Sequence, residues 1–250
     1  MDADPPISLQ TPQEAAHRAL ALGALVFRAV LDQTEQVSPR RGADPYTERA
    51  VRNLTWWLVR QNVIDHQSTE ERRMFRRMLG EWPADDLAAG VWRAEALGVL
   101  LWALNRIDAI PPYDALFDLE ETLALIPLFE PVAPFVEGAA LRPAEAIGRA
   151  REIAELWHWR ARITQMQQDG RQTAPDGTPL EELVRRAADL LREEGIAEPL
   201  GGDFPAFGQP YASLLPTQYD RVYGASRERH LALNWLCGYA RDWDHTPTNT

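Results

Sequence analysis

The side chains of this chain that could do chemistry are a handful of histidines, carboxylates and arginines, so their spacing comes first. Five histidines are present: His17, His66, His158, His230 and His245. None belongs to a His-Glu-x-x-His pattern or pairs with another at helical spacing, so a metal site would have to gather ligands from separate elements. His158 shares a helical face with Arg151, Glu155 and Arg162. A neighbouring carboxylate would favour its imidazolium and suit a general acid, whereas the two arginines oppose that charge. His230 lies one turn before Asn234, close enough to hydrogen-bond along one face. Asp242, Asp244, His245 and Thr248 have the donor types for a hard cation. Acids just past a helix C-terminus are disfavoured by its dipole, so arginine partners or an Asp-capped turn explain them equally well. For His158, His230 and this cluster alike, the structural use is the leading expectation, and no metal site or cofactor is predicted.

Composition removes whole reaction classes. All 26 basic residues are arginine, so there is no lysine for a Schiff base, a pyridoxal phosphate anchor or a phosphate loop. No glycine-rich phosphate loop follows a strand, and no Gly-x-Ser-x-Gly elbow occurs. A single cysteine, Cys237, excludes an internal disulfide and a multi-thiolate metal site, and its apolar helical context marks a buried thiol. The formal charge of −11 argues against a dedicated surface for nucleic acid or an anionic membrane. The start, "MDADPPISLQ", lacks the basic and apolar parts of a signal peptide. The most apolar runs, "ALALGALVF" and "ALGVLLWAL", fall well short of the roughly 20 residues that span a bilayer. A cytoplasmic location is the expectation.

The elements that must position these groups read as helices. Capping boxes stand at Thr11–Glu14, Ser68–Glu71 and Thr178–Glu181, each ahead of an apolar period of helical spacing. Helices are predicted over 12–34, 46–64, 69–80, 84–106, 143–168, 178–194 and 227–241, with a shorter one within 115–126 and Ser226 capping the last. The stretch "VWRAEALGVLLWAL" is apolar around almost its whole circumference, which places it at the centre of a bundle with Trp92, Leu97, Leu100, Leu101 and Leu104 buried. Its two charges, Arg93 and Glu95, are about 200° apart around the axis, so each needs a partner on another element or an exit to solvent. Four prolines between 127 and 143 break the pattern amid Phe129, Val132, Phe135 and Val136, which suits a loop packed on the body. Residues 196–217 read as a long structured loop, and no strand is expected. The fold class is all-α: a single compact domain of about seven or eight helices over 12–250, with 1–11 a flexible N-terminal segment.

Three clusters mix tryptophan with charge: "WRAE" at 92–95, "WHWRAR" at 157–162, and "ERHLALNW" with "WD" over 228–244. Arginine can stack on an indole and pair bidentately with a carboxylate across helices. The clusters are expected to converge on one polar network of Arg93, Glu95, His158, Arg162, Glu228, Arg229, Asn234 and Asp244, anchored by Trp92, Trp102, Trp157, Trp159, Trp235 and Trp243. Such a network either holds helices in register or lines a pocket. The closing "WDHTPTNT" is expected to fold back, inserting Trp243 and pairing Asp244 with Arg93 or Arg229.

These segments, "VWRAEALGVLLWAL", "LRPAEAIGRAREIAELWHWRAR" and "RERHLALNWLCGYARDWDHTPTNT", resemble the bacterial domain-of-unknown-function family numbered 4272. The likeness spans roughly 12–250 and is strongest from Trp92 onward. The resemblance implies that Arg142 and Thr250 join the residues above, Trp157 excepted, at motif positions. It also implies a tail ending Thr-Asp-Thr, where this chain reads Thr248-Asn249-Thr250. An amide neither ionises nor binds a hard cation strongly, so a metal or base role at that position would be impaired. The family supplies boundaries and candidate residues but no reaction.

The leading functional expectation is a non-catalytic helical protein that binds a protein partner or a small polar ligand. The alternatives are an enzyme, metal-dependent or not, built on Glu95, His158, Glu228 and Asp244, and a structural component of a homo-oligomer. Monomer and homodimer both remain open.

Overall fold

The computed structural model describes residues 8–37 and 44–248. Among them the chain forms nine α-helices in the order α1 (Pro12–Gln36), α2 (Pro45–Arg60), α3 (Thr69–Phe75), α4 (Ala84–Ala103), α5 (Leu119–Ala124), α6 (Ala133–Glu137), α7 (Ala144–Gln168), α8 (Leu180–Glu193) and α9 (Pro216–Leu236). A 3-10 turn at Val63–His66 joins α2 to α3, and a two-residue hairpin, β1 (Pro205–Ala206) with β2 (Gln209–Pro210), interrupts the loop before α9. The long helices pack in the order α1, α4, α9, α7; α2 and the 3-10 turn flank α1, α5 touches α4, and α8 covers α7. The fold is all-α, as the periodicity predicts, with the apolar helix α4 between α1 and α9.

Burial follows the sequence in α4. Leu97, Leu100, Leu101 and Leu104 are sealed, and burying such a side chain is worth about 1.5–3 kcal/mol. Trp92 departs from expectation and is only half-buried, its ring resting on Gly224 of α9, where any Cβ would collide with the indole. The helix α1 is sealed far beyond the single stripe its period suggests, because alanines at 15, 16, 19, 21, 24 and 29 let neighbours approach on every side.

The differences from the sequence reading have local causes. The first two capping boxes form: Thr11 with Glu14 and Ser68 with Glu71. The third does not. Pro179 occupies the cap of α8 without a side-chain hydrogen bond, and Asp176 instead accepts from the Thr178 N–H at 3.0 Å. The helix α9 begins at Pro216, where the Gln218 side chain accepts from the Leu215 N–H at 3.0 Å, rather than at 227. Ser226 is therefore mid-helix, donating to the Tyr223 carbonyl at 3.0 Å, and the helix runs on through Gly224, against which the Trp92 ring packs. Also, α2 stops at Arg60 and α3 at Phe75, short of the predicted 64 and 80.

Of the segment read as flexible, residues 1–7 lie outside the described residues. Gln10 donates through its side chain to the carbonyls of Trp235 at 3.1 Å and Ala240 at 3.3 Å, and its N–H bonds to the Leu236 carbonyl at 2.9 Å. Asn249 and Thr250 also lie outside the described residues.

Candidate functional site

The two charges of α4 find their partners on α9, and Glu95 meets the most tightly bound. Glu95 Oε2 accepts from Arg229 Nε at 2.7 Å and lies 2.6 Å from Nη2 in the same ion pair, while Oε1 accepts from the Phe117 N–H at 2.9 Å. Arg229 also donates to the carbonyls of Pro111 at 2.6 Å and Ala115 at 2.7 Å, and its guanidinium lies 5.0 Å from the Tyr113 ring centroid. Arg229 is 0% exposed and Glu95 3%. Burial raises the pKa of the Glu95 carboxyl above the ordinary glutamate value, against the pull of Arg229. Every polar atom of this pair is committed to protein, so it clamps α4, α9 and the 111–117 loop together. Arg93 makes the neighbouring bridge, donating to Glu228 Oε2 at 2.6 Å.

A second chain of hydrogen bonds crosses from α7 to α9. Arg151 Nε donates to Asn234 Oδ1 at 2.9 Å, Asn234 Nδ2 reaches His230 Nε2 at 2.9 Å, and His230 Nδ1 meets His158 Nδ1 at 3.1 Å. The donors set the tautomers. Asn234 Nδ2–H makes His230 Nε2 an acceptor, so His230 carries its proton on Nδ1 and donates it to His158 Nδ1. His158 then holds its proton on Nε2. Burial, with the Arg162 and Arg227 charges, lowers the His158 pKa to about 4. Burial, His158 and Arg151 lower that of His230 to about 3. Both rings are neutral at neutral pH. Arg162 itself stays outside the chain, exposed and donating to Gln165 at 2.7 Å.

The C-terminal segment supplies the third cluster. Trp243 is buried at 3% exposure, packed edge-on to Trp235 with ring centroids 5.5 Å apart and with the Arg18 guanidinium 4.9 Å and the Arg93 guanidinium 5.8 Å away. Asp244 takes no hydrogen bond from Arg93 or Arg229, contrary to the sequence expectation. It accepts from the Glu70 N–H at 3.0 Å in the first turn of α3, where helix-terminal N–H groups lack internal acceptors. Asp242 accepts from the Asp244 N–H at 3.0 Å and meets His245 Nδ1 at 2.7 Å, so it closes an Asx turn. Among the described residues no group of three or more His, Cys, Asp or Glu side chains is placed to hold a metal ion.

The sequence-predicted residues thus fall into separate clamps: Arg93–Glu228, Glu95–Arg229, and His158–His230–Asn234, with Trp243 and Asp244 docked nearby. The tryptophans divide as well. Trp102 lies under the Arg142 guanidinium at 5.1 Å, and Arg142 donates to the Trp102 carbonyl at 2.7 Å. Trp157 stacks on Tyr113 at 4.9 Å, whereas Trp159 is half-exposed. The buried thiol of Cys237 has its pKa pushed up to about 11 by desolvation, which leaves it protonated.

The sequence reading missed three further pairings. Arg160 meets Asp203 bidentately, at 2.7 Å on both arms, and Asp203 also accepts the N–H groups of Phe204 and Ala212, which pins the 196–215 loop to α7. Arg18 pairs with Glu71, and Arg28 with Asp32. A buried arginine in a helical apolar period was the available signal for the last two; nothing in the spacing points to Asp203.

The large openings lie elsewhere, along the outer side of α7. One depression of about 520 Å³ runs between α7 and α8 over Leu156, Trp159, Leu183, Ala187, Leu190 and Ile196. A second, of about 660 Å³, lies over Pro111, Tyr113, Ala150, Ile153, Trp157 and Pro205. They share Arg149, Glu194 and Ile196, so they form two lobes of one groove. Arg149 spans the divide, pairing with Glu194 at 3.0 Å and Glu152 at 3.4 Å. Asp114, Glu152, Glu155 and Glu194 against Arg149 leave the lining acidic.

Against known proteins, the DUF4272 family model, described as a domain of unknown function, matches residues 1–180. The chain belongs to the DUF4272 family. The matched stretch takes in α1 to α7 and ends at the start of α8, so α9 and the tail, where the sequence reading placed part of the likeness, lie beyond it. No curated protein and no solved structure matches the chain. No helix among the described residues is long and apolar enough to cross a membrane.

Proposed function

We propose that this DUF4272 protein is a non-catalytic binding module whose groove along α7 receives a segment of a partner protein. The observation that carries the reading is the groove's build: two apolar lobes, an aromatic in each, joined at an acidic divide around Arg149 and Glu194. Ligand and peptide sites combine such apolar floors with a few placed polar groups. The fitting occupant is an amphipathic segment with two apolar side chains, one per lobe, and basic residues beside them to meet Glu152, Glu155 and Glu194. Leu190, 44% exposed at the rim, supplies apolar surface that such a segment would cover.

The enzyme reading built on Glu95, His158, Glu228 and Asp244 draws no support from the geometry. Glu95, His158 and Glu228 are 2–3% exposed, and their hydrogen bonds run to other parts of the protein. A cytoplasmic home is part of the proposal, since a free, buried Cys237 thiol suits a reducing compartment.

Calorimetric titration with two designed helical peptides of identical apolar residues, one basic and one acidic, tests the reading. The basic peptide should bind saturably and the acidic one should not, and Ala187→Glu should abolish binding while leaving the circular dichroism spectrum unchanged. Binding of neither peptide, or equal binding of both, would overturn it.

A further inference from the structure

A smaller cavity, of about 240 Å³, lies beneath the C-terminal segment and is independent of the groove. Arg18 of α1, His66 and Gln67 before α3, Trp235 of α9, and Arg241 and Trp243 of the tail border it. Three of these residues bring buried donors that meet no acceptor among the described residues: Arg18 Nε, Gln67 Nε2 and Trp243 Nε1. Native proteins pair the great majority of buried polar groups, and an orphaned donor destabilises the fold until a partner meets it. All three orphans are N–H groups on side chains that border this one cavity.

The acids at the same site keep their charge, but their oxygens are already engaged as acceptors elsewhere. Glu14 accepts from the Thr11 N–H at 2.8 Å and the Thr11 hydroxyl at 2.7 Å, which holds its carboxyl below the ordinary range. Asp242 is taken up by His245 and the Asp244 N–H. Glu71 pairs with Arg18 and accepts from the Ser68 N–H at 2.8 Å. Arg241, on the exposed side, adds positive charge at the border.

We propose that this cavity binds a small oxyanion, a carboxylate or phosphate group, through the indole N–H of Trp243, the amide of Gln67 and the guanidinium of Arg18. The volume suits a group of that size rather than a drug-sized ligand. Charge-assisted hydrogen bonds to an oxyanion are stronger than those between neutral groups, and a buried indole N–H can only donate. Since Trp243 rides on the tail, an anion held there also fastens the tail to α1 and α3, so binding raises the stability of the docked state.

The test titrates the intact protein with inorganic phosphate and, separately, with acetate, against sodium chloride at matched ionic strength, by calorimetry and thermal melting. Saturable one-to-one binding of phosphate or acetate is expected, with a higher melting temperature than in chloride, and the tighter of the two identifies the group. Trp243→Phe keeps a ring against Trp235 but removes the N–H, and Gln67→Leu removes the amide; each should weaken binding about tenfold. Should Trp243→Phe fail to fold by circular dichroism, Gln67→Leu decides alone. Absence of saturable binding by both anions, or parental affinity in the folded variants, would overturn the site.

Discussion

Arg229 and Glu95 join α9 to α4 through a hydrogen bond of 2.7 Å within a buried ion pair, and the same guanidinium holds the carbonyls of Pro111 and Ala115. The pair is sealed on all sides, so removing one partner leaves the other charge buried and uncompensated. Arg229→Met should therefore destabilise the fold by about 3–5 kcal/mol in denaturant unfolding. The double variant Glu95→Leu/Arg229→Met should lose less than the sum of the two single changes, because the coupling is removed with both charges. A loss below about 1 kcal/mol in the single variant would contradict a buried clamp.

Packing in α4 gives a second expectation. Leu101→Ala removes a fully buried side chain from the middle of the core and should cost about 2–5 kcal/mol. Gly98→Ala should also destabilise, by about 1–3 kcal/mol, because a Cβ there would collide with the Phe117 ring. Chemical denaturation of the two variants measures both.

The fold was legible where one element decided it alone. The apolar circumference of α4 marks a central helix, and Thr11–Glu14 and Ser68–Glu71 cap helices by contacts within four residues. Reading failed where a distant neighbour decided. Ser226 reads as the cap of the last helix, whereas α9 begins eleven residues earlier than 227, at Pro216, and packs Gly224 against the Trp92 ring. The same holds for the candidate site. The spacing of Arg93 and Glu95 requires partners elsewhere, but nothing in it selects Glu228 and Arg229, or shows that Asp244 caps α3 instead of meeting an arginine. The α7 groove is made by Ile153, Leu190 and Ile196 left uncovered, and a period alone does not say which apolar residues stay uncovered.

The docked tail sets a third expectation. Trp243→Ala should cost about 3–5 kcal/mol, and deletion of residues 242–250 should lower the melting temperature clearly. Adding a chelator to the intact protein should leave its melting unchanged. A deletion that melts like the parent would show the tail to be dispensable, and a large chelator effect would point to a metal at Asp242 and Asp244.

The histidine pair sets the pH response. Folded pKa values of about 4 for His158 and about 3 for His230 lie below the 6.5 of a free imidazole. The unfolded chain therefore binds more protons than the folded one below about pH 6.5, and stability falls as pH falls. This contribution is fully present above pH 6.5 and is lost progressively toward pH 3. Imidazole NMR should show both rings neutral at pH 5.5, with His230 protonated on Nδ1. A titration midpoint near 6.5 for the two rings would contradict their sealed placement.

The buried polar residues hold helices, and binding is proposed to fall to the α7 groove. Methyl NMR on the intact protein, titrated with the basic helical peptide, tests it most directly. Saturable shifts are expected at Ala150, Ile153, Leu156, Leu183, Ala187, Leu190 and Ile196 alone, with α4 and α9 methyls unmoved. Shifts centred on the methyls around Glu95, His158 and Arg229, with the groove silent, would contradict it.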